Sequence, residues 1–186
     1  MNEAITIKEL YSLDKTIAAD IFEGCTFPWE VLSKIGDFIV ELGNRLPADE
    51  YIKRGENVWV HKEANVFDSA YIAGPAIICK GAEVRHCAFI RGKAIVGECA
   101  VVGNSTELKN VILFDGVQVP HYNYVGDSIL GYKAHMGAGS ITSNVKSDKK
   151  LITIKGADEA VDTGIKKLGA FLGDLGEVGC GSVLNP

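Results

Sequence analysis

Residues 82–108 read AEVRHCAFIRGKAIVGECAVVGNSTEL, and this stretch decides the fold. An aliphatic residue falls on every sixth position, and a small residue stands two positions before each of them. The aliphatic series over the longer stretch is Val60, Val66, Ile72, Ile78, Val84, Ile90, Val96, Val102 and Leu108. The small series is Ala64, Ala70, Ala76, Ala82, Ala88, Ala94, Ala100 and Thr106.

A period of six matches neither the 3.6-residue period of a helix nor the simple alternation of a long strand. It fits a short strand and a tight turn that repeat, with the aliphatic residue stacked inside and the small residue at a crowded corner. We therefore predict an all-β solenoid, a parallel β-helix of hexapeptide repeats. Three hexapeptides would form one triangular coil of about 18 residues.

The two ends of the chain differ from this repeat. Residues 1–55 include an amphipathic segment from Trp29 to Leu46, which predicts an N-terminal α-helical cap over the exposed apolar end of the solenoid. Residues 56–186 form the predicted β-helix. The repeat slips at about Leu113 and near Leu130, and an inserted loop of mixed charge interrupts it at about 144–167.

Composition excludes several classes of function. The net charge is −5, and no cluster of basic residues stands out, which argues against a nucleic-acid partner. No apolar run has the length of a membrane span, and the first residues, MNEAITIKEL, lack the features of a secretory signal. We expect a cytoplasmic protein with no membrane partner. The five cysteines contain no C-x-x-C pair, which predicts buried reduced thiols.

The segment QVPHYNYVGD, residues 118–127, departs from the repeat and carries a histidine after a proline. Slips and insertions in a solenoid place side chains on one face, where they can bind ligands. The polar residues in and around this irregular region are Glu107, Lys109, His121, Tyr124, His135, Asn144 and Lys150.

Four blocks in this region resemble a known family. IRGKAIVG (90–97), GNSTELKN (103–110), VPHYNYVGD (119–127) and MGAGSITSN (136–144) follow one another as in a particular acetyltransferase domain. It is the glucosamine-1-phosphate N-acetyltransferase domain of the bifunctional enzyme that makes UDP-N-acetylglucosamine. The resemblance implies a hexapeptide-repeat acyltransferase with a left-handed β-helix. It also implies a homotrimer, acetyl-CoA as co-substrate and an amino-sugar phosphate as acceptor.

The resemblance implies three catalytic roles. His121 matches the general base, which takes a proton from the amino group of glucosamine-1-phosphate, and Glu107 matches a glutamate that supports it. An unperturbed imidazole titrates near pH ~6.5 and can therefore accept a proton at neutral pH. The backbone N–H of Ala138 would face the thioester oxygen, where negative charge develops.

The resemblance also implies a set of substrate contacts. Arg91, Lys109 and Lys150 match the cations that hold the sugar phosphate. Tyr124 and Asn144 match residues that contact the sugar. His135 stands where the family usually has an asparagine that touches the sugar.

Several departures from the family pattern set further expectations. Val145 replaces a tyrosine, and the loop that contains GADEAVDTG is longer than in the family. We expect the C-terminal coils that form much of the coenzyme A groove to be mostly missing. The uridylyltransferase half, with its Gly-rich nucleotide loop, is expected to be absent.

Two other functions are compatible with the same fold. A γ-class carbonic anhydrase binds zinc through three histidines, whereas His86 and His121 lack a third histidine shortly afterwards. We therefore expect no metal. The other alternative is a non-catalytic sugar-phosphate-binding or scaffolding trimer that partners a separate nucleotidyltransferase.

Overall fold

The structure, a computed structural model, describes residues 3–155 and 160–186. The first four residues of the segment GADEAVDTG therefore lie outside the described residues. The helical elements are 3-10 turns at Glu3–Ile5, Leu13–Lys15, Ala19–Phe22 and Pro28–Val31, and the helices α1 (Ile7–Leu10) and α2 (Ile35–Arg45).

The strands, in chain order, are β1 (Tyr51–Lys53), β2 (Val58–His61), β3 (Asn65–Val66), β4 (Tyr71–Ile72), β5 (Ala76–Ile78), β6 (Glu83–Val84), β7 (Phe89–Ile90), β8 (Ala94–Val96), β9 (Val101–Asn104), β10 (Glu107–Leu113), β11 (Gln118–His121), β12 (Tyr124–Leu130), β13 (His135–Met136), β14 (Ile141–Thr142), β15 (Thr153–Lys155), β16 (Ala160–Asp162), β17 (Phe171–Leu172), β18 (Glu177–Val178) and β19 (Val183–Leu184).

These strands stack in parallel on three faces of a solenoid, apart from β1 and the β15–β16 hairpin, which pair antiparallel. Face 1 holds β2, β5, β8, β17 and the second halves of β10 and β12. Face 2 holds β3, β6, β9, β11, β13 and β18. Face 3 holds β4, β7, β14, β19 and the first halves of β10 and β12. The predicted parallel β-solenoid is confirmed.

The stacked interior matches the six-residue series. Val84, Ile90, Val96, Val102 and Leu108 are each fully buried. The alanines from position 76 to position 100 are also buried. These residues follow the pattern because every turn of a solenoid must offer an equivalent apolar side chain to the turn above and the turn below.

The slips in the repeat arise where the coil becomes shorter by one residue. Ala76 pairs with Ala94, eighteen residues on, whereas Ala94 pairs with Val111 and Val111 with Ser128, each seventeen residues on. The missing residue is at the corner after face 3, where β10 and β12 run through without a separate turn. Asn110 and Asp127 take this corner with φ of 56° and 51°. The irregularity therefore begins about three residues before the predicted positions.

The N-terminal helical region lies along face 1. The ring of Tyr11 packs on Phe114 at 5.2 Å, and Trp29 approaches Phe171 at 6.2 Å. At the other end of the solenoid, α2 packs so closely that a Cβ on Gly43 would lie 2.4 Å from the indole of Trp59. The helical region thus follows the solenoid lengthwise from its last coil to its first.

This placement follows from the apolar outer surface of face 1. Side chains alternate between inside and outside along a strand, so Ile78 points inward and Ile77 outward. Nevertheless Ile77, Ile95 and Ile112 are all fully buried, because the N-terminal region covers them. The predicted helical region is confirmed, but it covers a side of the solenoid and not the apolar end. The first coil is flanked by β1, which pairs antiparallel with β2.

The cysteines follow the prediction only in part. All five are free thiols, and Cys79 is buried. Cys87, Cys99 and Cys180 are exposed, so the prediction of buried thiols was wrong for these three. Cys87 and Cys99 occupy solenoid corners with φ of 59° and 54°, outside the stacked interior.

The chain leaves the solenoid between β14 and β17, at the same corner after face 3, and the β15–β16 hairpin belongs to this excursion. Its end is tied back to the shortened coils. The Leu168 N–H donates to the Asn144 carbonyl at 3.0 Å, and the Gly169 N–H donates to the Asp127 carbonyl at 2.8 Å. The corner after face 3 is therefore flanked by the excursion.

Candidate functional site

The corner after face 2 carries the predicted base. Successive coils place His86, Asn104, His121 and Ala138 in one column, because the register is eighteen residues from His86 to Asn104 and seventeen residues at each of the next two steps. His121 is exposed, and its carbonyl accepts the Gly139 N–H at 3.0 Å. No hydrogen bond or ion pair holds its imidazole within the described residues. The ring is therefore free to act on a ligand.

Asn123 fixes the backbone around this corner. Its side chain is buried, with the amide oxygen accepting the His121 N–H at 3.1 Å. The amide nitrogen donates to the Gly137 carbonyl at 2.9 Å and the Ser140 carbonyl at 3.0 Å. Asn123 thus joins the turn that carries His121 to the GAGS turn of the next coil, which carries Ala138.

Ala138 lies one coil above His121 and is exposed. Its carbonyl accepts the Gly181 N–H at 2.9 Å. Its own N–H has no protein acceptor within the described ranges 3–155 and 160–186. A free backbone N–H beside a candidate base can donate to an oxygen that gains negative charge.

Face 3 carries an ion pair and a tyrosine. The Arg91 guanidinium donates to Glu107 at 2.7 Å, and this hydrogen bond raises the pKa of Arg91 above its ordinary value. Glu107 pairs in register with Tyr124 on the next coil. Burial raises the pKa of the Tyr124 hydroxyl, and the charges of Asp127 and Glu107 act in the same direction. The hydroxyl is therefore neutral near pH 7 and can donate a hydrogen bond.

Asp127 is the centre of the corner after face 3. Its carboxylate is 7% exposed and lies 3.4 Å from the Lys109 ammonium. It accepts hydrogen bonds from the side-chain amides of Asn110, at 2.9 Å, and Asn144. The Asn144 amide also lies 3.4 Å from the Tyr124 hydroxyl. One buried carboxylate thus holds side chains from the two coils that flank its own.

Two pockets meet at this corner. One has a volume of about 270 Å³ and is lined by Arg91, Lys93, Lys109, Asn110, Asp127 and the Gly74–Pro75 turn, among others. The other has a volume of about 360 Å³ and extends between the N-terminal region and the excursion, with Trp29 and Lys167 on its walls. Lys93, Asn110 and Asp127 line both. The first pocket has three cationic side chains and one carboxylate, a composition suited to an anion that also carries hydroxyl groups.

Of the predicted site residues, Arg91 and Lys109 line the first pocket, whereas His135 and Lys150 lie apart from every side chain described above. The His135 imidazole, on face 2, is 2.8 Å from the Glu177 carboxylate. Lys150 is exposed in the excursion, where its backbone N–H donates to Asp148 at 3.0 Å. The single chain therefore brings together Arg91, Glu107, Lys109, Tyr124 and Asn144. His121 and Ala138 share the preceding corner, and Glu107 bonds to Arg91 and not to His121.

Sequence reasoning missed three residues at the site. Asp127, Asn110 and Asn123 were not among the residues to which the sequence assigned a role. The signal for Asp127 and Asn110 was their seventeen-residue spacing, which places them in one column. The signal for Asn123 was its place within PHYNY, two residues after the histidine.

The described residues contain no group of three or more histidine, cysteine or acidic side chains arranged to hold a metal ion. In the same part of the chain, no helix is both long enough and apolar enough to cross a membrane.

The model of one protein family, the GMPPB C-terminal domain, matches residues 72–166, which is just over half of the chain. The chain belongs to the GMPPB C-terminal domain family. The matched range of this family member includes the corners after face 2 and after face 3 that carry the predicted site. Every predicted site residue lies within this range.

Curated relatives of this GMPPB C-terminal domain protein extend the match. The bifunctional protein GlmU of Methanococcus maripaludis (strain C5) is 34% identical over 149 residues, which cover 79% of this chain and 36% of the relative. The bifunctional sugar-1-phosphate nucleotidylyltransferase/acetyltransferase of Sulfurisphaera tokodaii is 30% identical over 136 residues, 73% of this chain and 33% of the relative. These relatives confirm the resemblance stated from the sequence. The chain spans about a third of the length of the relatives it matches.

A solved structure also overlaps with part of the chain. The acetyltransferase domain of PglB from Neisseria gonorrhoeae, in complex with acetyl coenzyme A, is 23% identical and covers 46% of this chain and 40% of that domain. The TM-score is 0.33, which is too low for this structure to support conclusions about the site.

Proposed function

We propose that this protein transfers an acetyl group from acetyl-CoA to the amino group of an amino-sugar phosphate such as glucosamine-1-phosphate. The observation that carries the proposal is the exposed His121, followed three residues later by β12, whose Asp127 lines the pocket that also holds three cationic side chains. The relatives support it, since one of them is named a sugar-1-phosphate nucleotidylyltransferase/acetyltransferase.

In the proposed reaction, His121 removes a proton from the substrate nitrogen as that nitrogen attacks the thioester carbon. The Ala138 N–H donates to the carbonyl oxygen, which becomes negatively charged in the tetrahedral intermediate. The C–S bond then breaks, coenzyme A leaves as the thiol after taking up the proton, and the amide remains on the sugar. Glu107, which Arg91 binds in the single chain, supports the base once Arg91 has turned to the phosphate, because a negative charge close to an imidazolium stabilises it.

The substrate contacts follow from the pocket. Arg91 and Lys109 bind the phosphate, and to do so they exchange their carboxylate partners for phosphate oxygens. Tyr124 and Asn144 contact the sugar. Lys150 and His135, which lie outside the pocket of the single chain, complete the site from the excursion and from face 2.

We also propose that the protein is a homotrimer with a shared site. Tyr71 and Phe89 form an exposed aromatic pair on face 3, with ring centroids 5.7 Å apart and side chains 62% and 41% exposed. Such a patch beside the Arg91–Glu107 pair favours contact with another subunit. Light scattering of the purified protein should give the mass of three chains, and the mass of one chain at micromolar concentration would contradict the shared site.

An acetyl-transfer assay with acetyl-CoA and glucosamine-1-phosphate tests the proposed function. Wild-type protein should release coenzyme A and form the N-acetyl sugar phosphate. Lys109→Ala should raise the KM for the sugar phosphate by about 10- to 100-fold and change kcat little, because it removes one charge-assisted contact.

Lys80→Ala is the matched control. Lys80 is half-exposed and paired with Glu63 on a different corner, so its removal should leave KM unchanged. If the wild type transfers no acetyl group to any amino-sugar phosphate, the proposal is wrong. A wild type that binds the sugar phosphate without transferring acetyl would point instead to the binding or scaffolding alternative.

A further inference from the structure

Asn110 has a buried polar atom that no other group satisfies. Among the buried side-chain nitrogen and oxygen atoms of the described residues, its Oδ1 is the one without a hydrogen-bond partner. Native proteins leave few such atoms unpaired, because an unpaired buried acceptor lowers stability. An oxygen of this kind at a binding pocket therefore indicates a partner that arrives with the ligand.

The orientation of the Asn110 amide is fixed by its neighbour. Its Nδ2 donates to the Asp127 carboxylate at 2.9 Å. A rotated amide would place Oδ1 against that carboxylate, where two acceptors repel each other. Asp127 is itself held by Asn144 and Lys109, so the amide has one satisfactory orientation. The unpaired oxygen is a consequence of this arrangement.

Asn110 stands where the two pockets of the corner after face 3 meet, and it lines both. Lys93 lines both pockets as well and is exposed, with no ion pair among the described residues. Its aliphatic stem lies against Gly36 of α2. This flexible side chain can change position when a ligand enters the pockets that it shares with Asn110.

We propose that Asn110 is a substrate-binding residue whose Oδ1 accepts a hydrogen bond from a hydroxyl group of the acceptor sugar. The substrate class in this inference rests on the proposed function. A carbonyl oxygen attracts hydroxyl or ammonium donors and gains nothing from a phosphate dianion. Asn110 therefore recognises the sugar, while Lys109 on the preceding position binds the phosphate.

Isothermal titration with two probes, glucosamine-1-phosphate and inorganic phosphate, tests the inference. The variant is Asn110→Gly, because the residue has a φ of 56° that glycine accepts without strain. It should weaken binding of glucosamine-1-phosphate by about tenfold, the effect of one lost hydrogen bond, and leave inorganic phosphate binding unchanged. Lys109→Ala should weaken binding of both probes.

Asn57→Gly is the matched control. Asn57 has a φ of 54° and occupies the same column three coils earlier, about 14 Å away at the usual spacing of strands. It should leave both affinities unchanged. Asn110→Gly also removes the hydrogen bond to the buried Asp127 carboxylate and should therefore melt earlier than Asn57→Gly, so the titrations are run at a temperature where both variants are folded.

Two results would overturn the inference: unchanged binding of the sugar phosphate by Asn110→Gly, or equal weakening of both probes. If the wild type acetylates glucosamine-1-phosphate and Asn110→Gly binds this substrate as tightly as the wild type does, this inference alone is overturned. A wild type that does not bind glucosamine-1-phosphate would contradict both this inference and the proposed substrate.

Discussion

Replacement of His121 by alanine should lower the rate of acetyl transfer to glucosamine-1-phosphate by roughly 10²–10⁴, the range expected when a general base is lost. The substrate nitrogen must lose a proton as it attacks the thioester, and no other imidazole stands beside Ala138 in that corner. The His121 ring makes no hydrogen bond within the described residues, so the free energy of unfolding should change by less than about 0.5 kcal/mol. Initial rates and thermal melts of one preparation measure both effects.

His86→Ala is the matched control for this substitution. His86 lies in the same column two coils earlier, where its ring contacts Ser69 at 3.0 Å and Phe67. It should keep wild-type turnover even if its melting temperature falls. A His121→Ala protein that melts earlier and keeps its turnover per folded molecule would show that the histidine only stabilises a turn.

Gly103→Ala should be the most destabilising of the substitutions considered. A Cβ at this position would lie 1.6 Å from the Pro120 carbonyl oxygen and 2.0 Å from its carbon. Both are backbone atoms that cannot move without disturbing β11, so the cost should exceed the usual ~1–3 kcal/mol of overpacking. Because Pro120 precedes His121, the folded fraction should also lose acetyl transfer.

The last coil provides the control for Gly103. Gly179 occupies the equivalent corner position there, and a Cβ on it would meet only Ser182 Oγ, at 3.8 Å. Gly179→Ala should therefore change the free energy of unfolding by no more than about 0.5 kcal/mol. Urea unfolding of the two variants and the wild type gives the comparison. Equal stability of Gly103→Ala and Gly179→Ala would contradict the close approach between β9 and β11.

The close approach of Gly103 to Pro120 also explains why the repeat changes at QVPHYNYVGD. β11 pairs with β9 at Gln118, Val119 and His121, but Pro120 has no N–H to donate and faces Gly103. The backbones approach closely at that point because Gly103 has no side chain that would keep them apart. The chain then turns through Tyr122, whose φ is 52°, and leaves His121 exposed.

The six-residue spacing by itself determined the solenoid. Equivalent positions in successive coils touch because the coils are stacked. Each coil therefore needs an aliphatic residue inside and a small residue at the corner. The repeat predicts a coil of about 18 residues, so the column that His121 and Ala138 share, at a separation of seventeen residues, follows only from the shortened coils of the structure. Glu107, Tyr124 and Arg91 also came from local motifs, because the first two lie on strands whose face the repeat specifies and Arg91 directly follows β7.

Only the tertiary structure decided which surface the N-terminal region covers and how the corner after face 3 is built. An amphipathic helix shows that it has an apolar side, but it does not specify the surface that receives it. The available signal for the covered surface was that strands of face 1, such as AII at 76–78, carry apolar residues on both their inner and their outer sides. The carboxylate of Asp127 gathers Lys109, Asn110 and Asn144 because one-residue shortening and an excursion bring separate coils together. Such contacts depend on distances between coils, which no local pattern encodes.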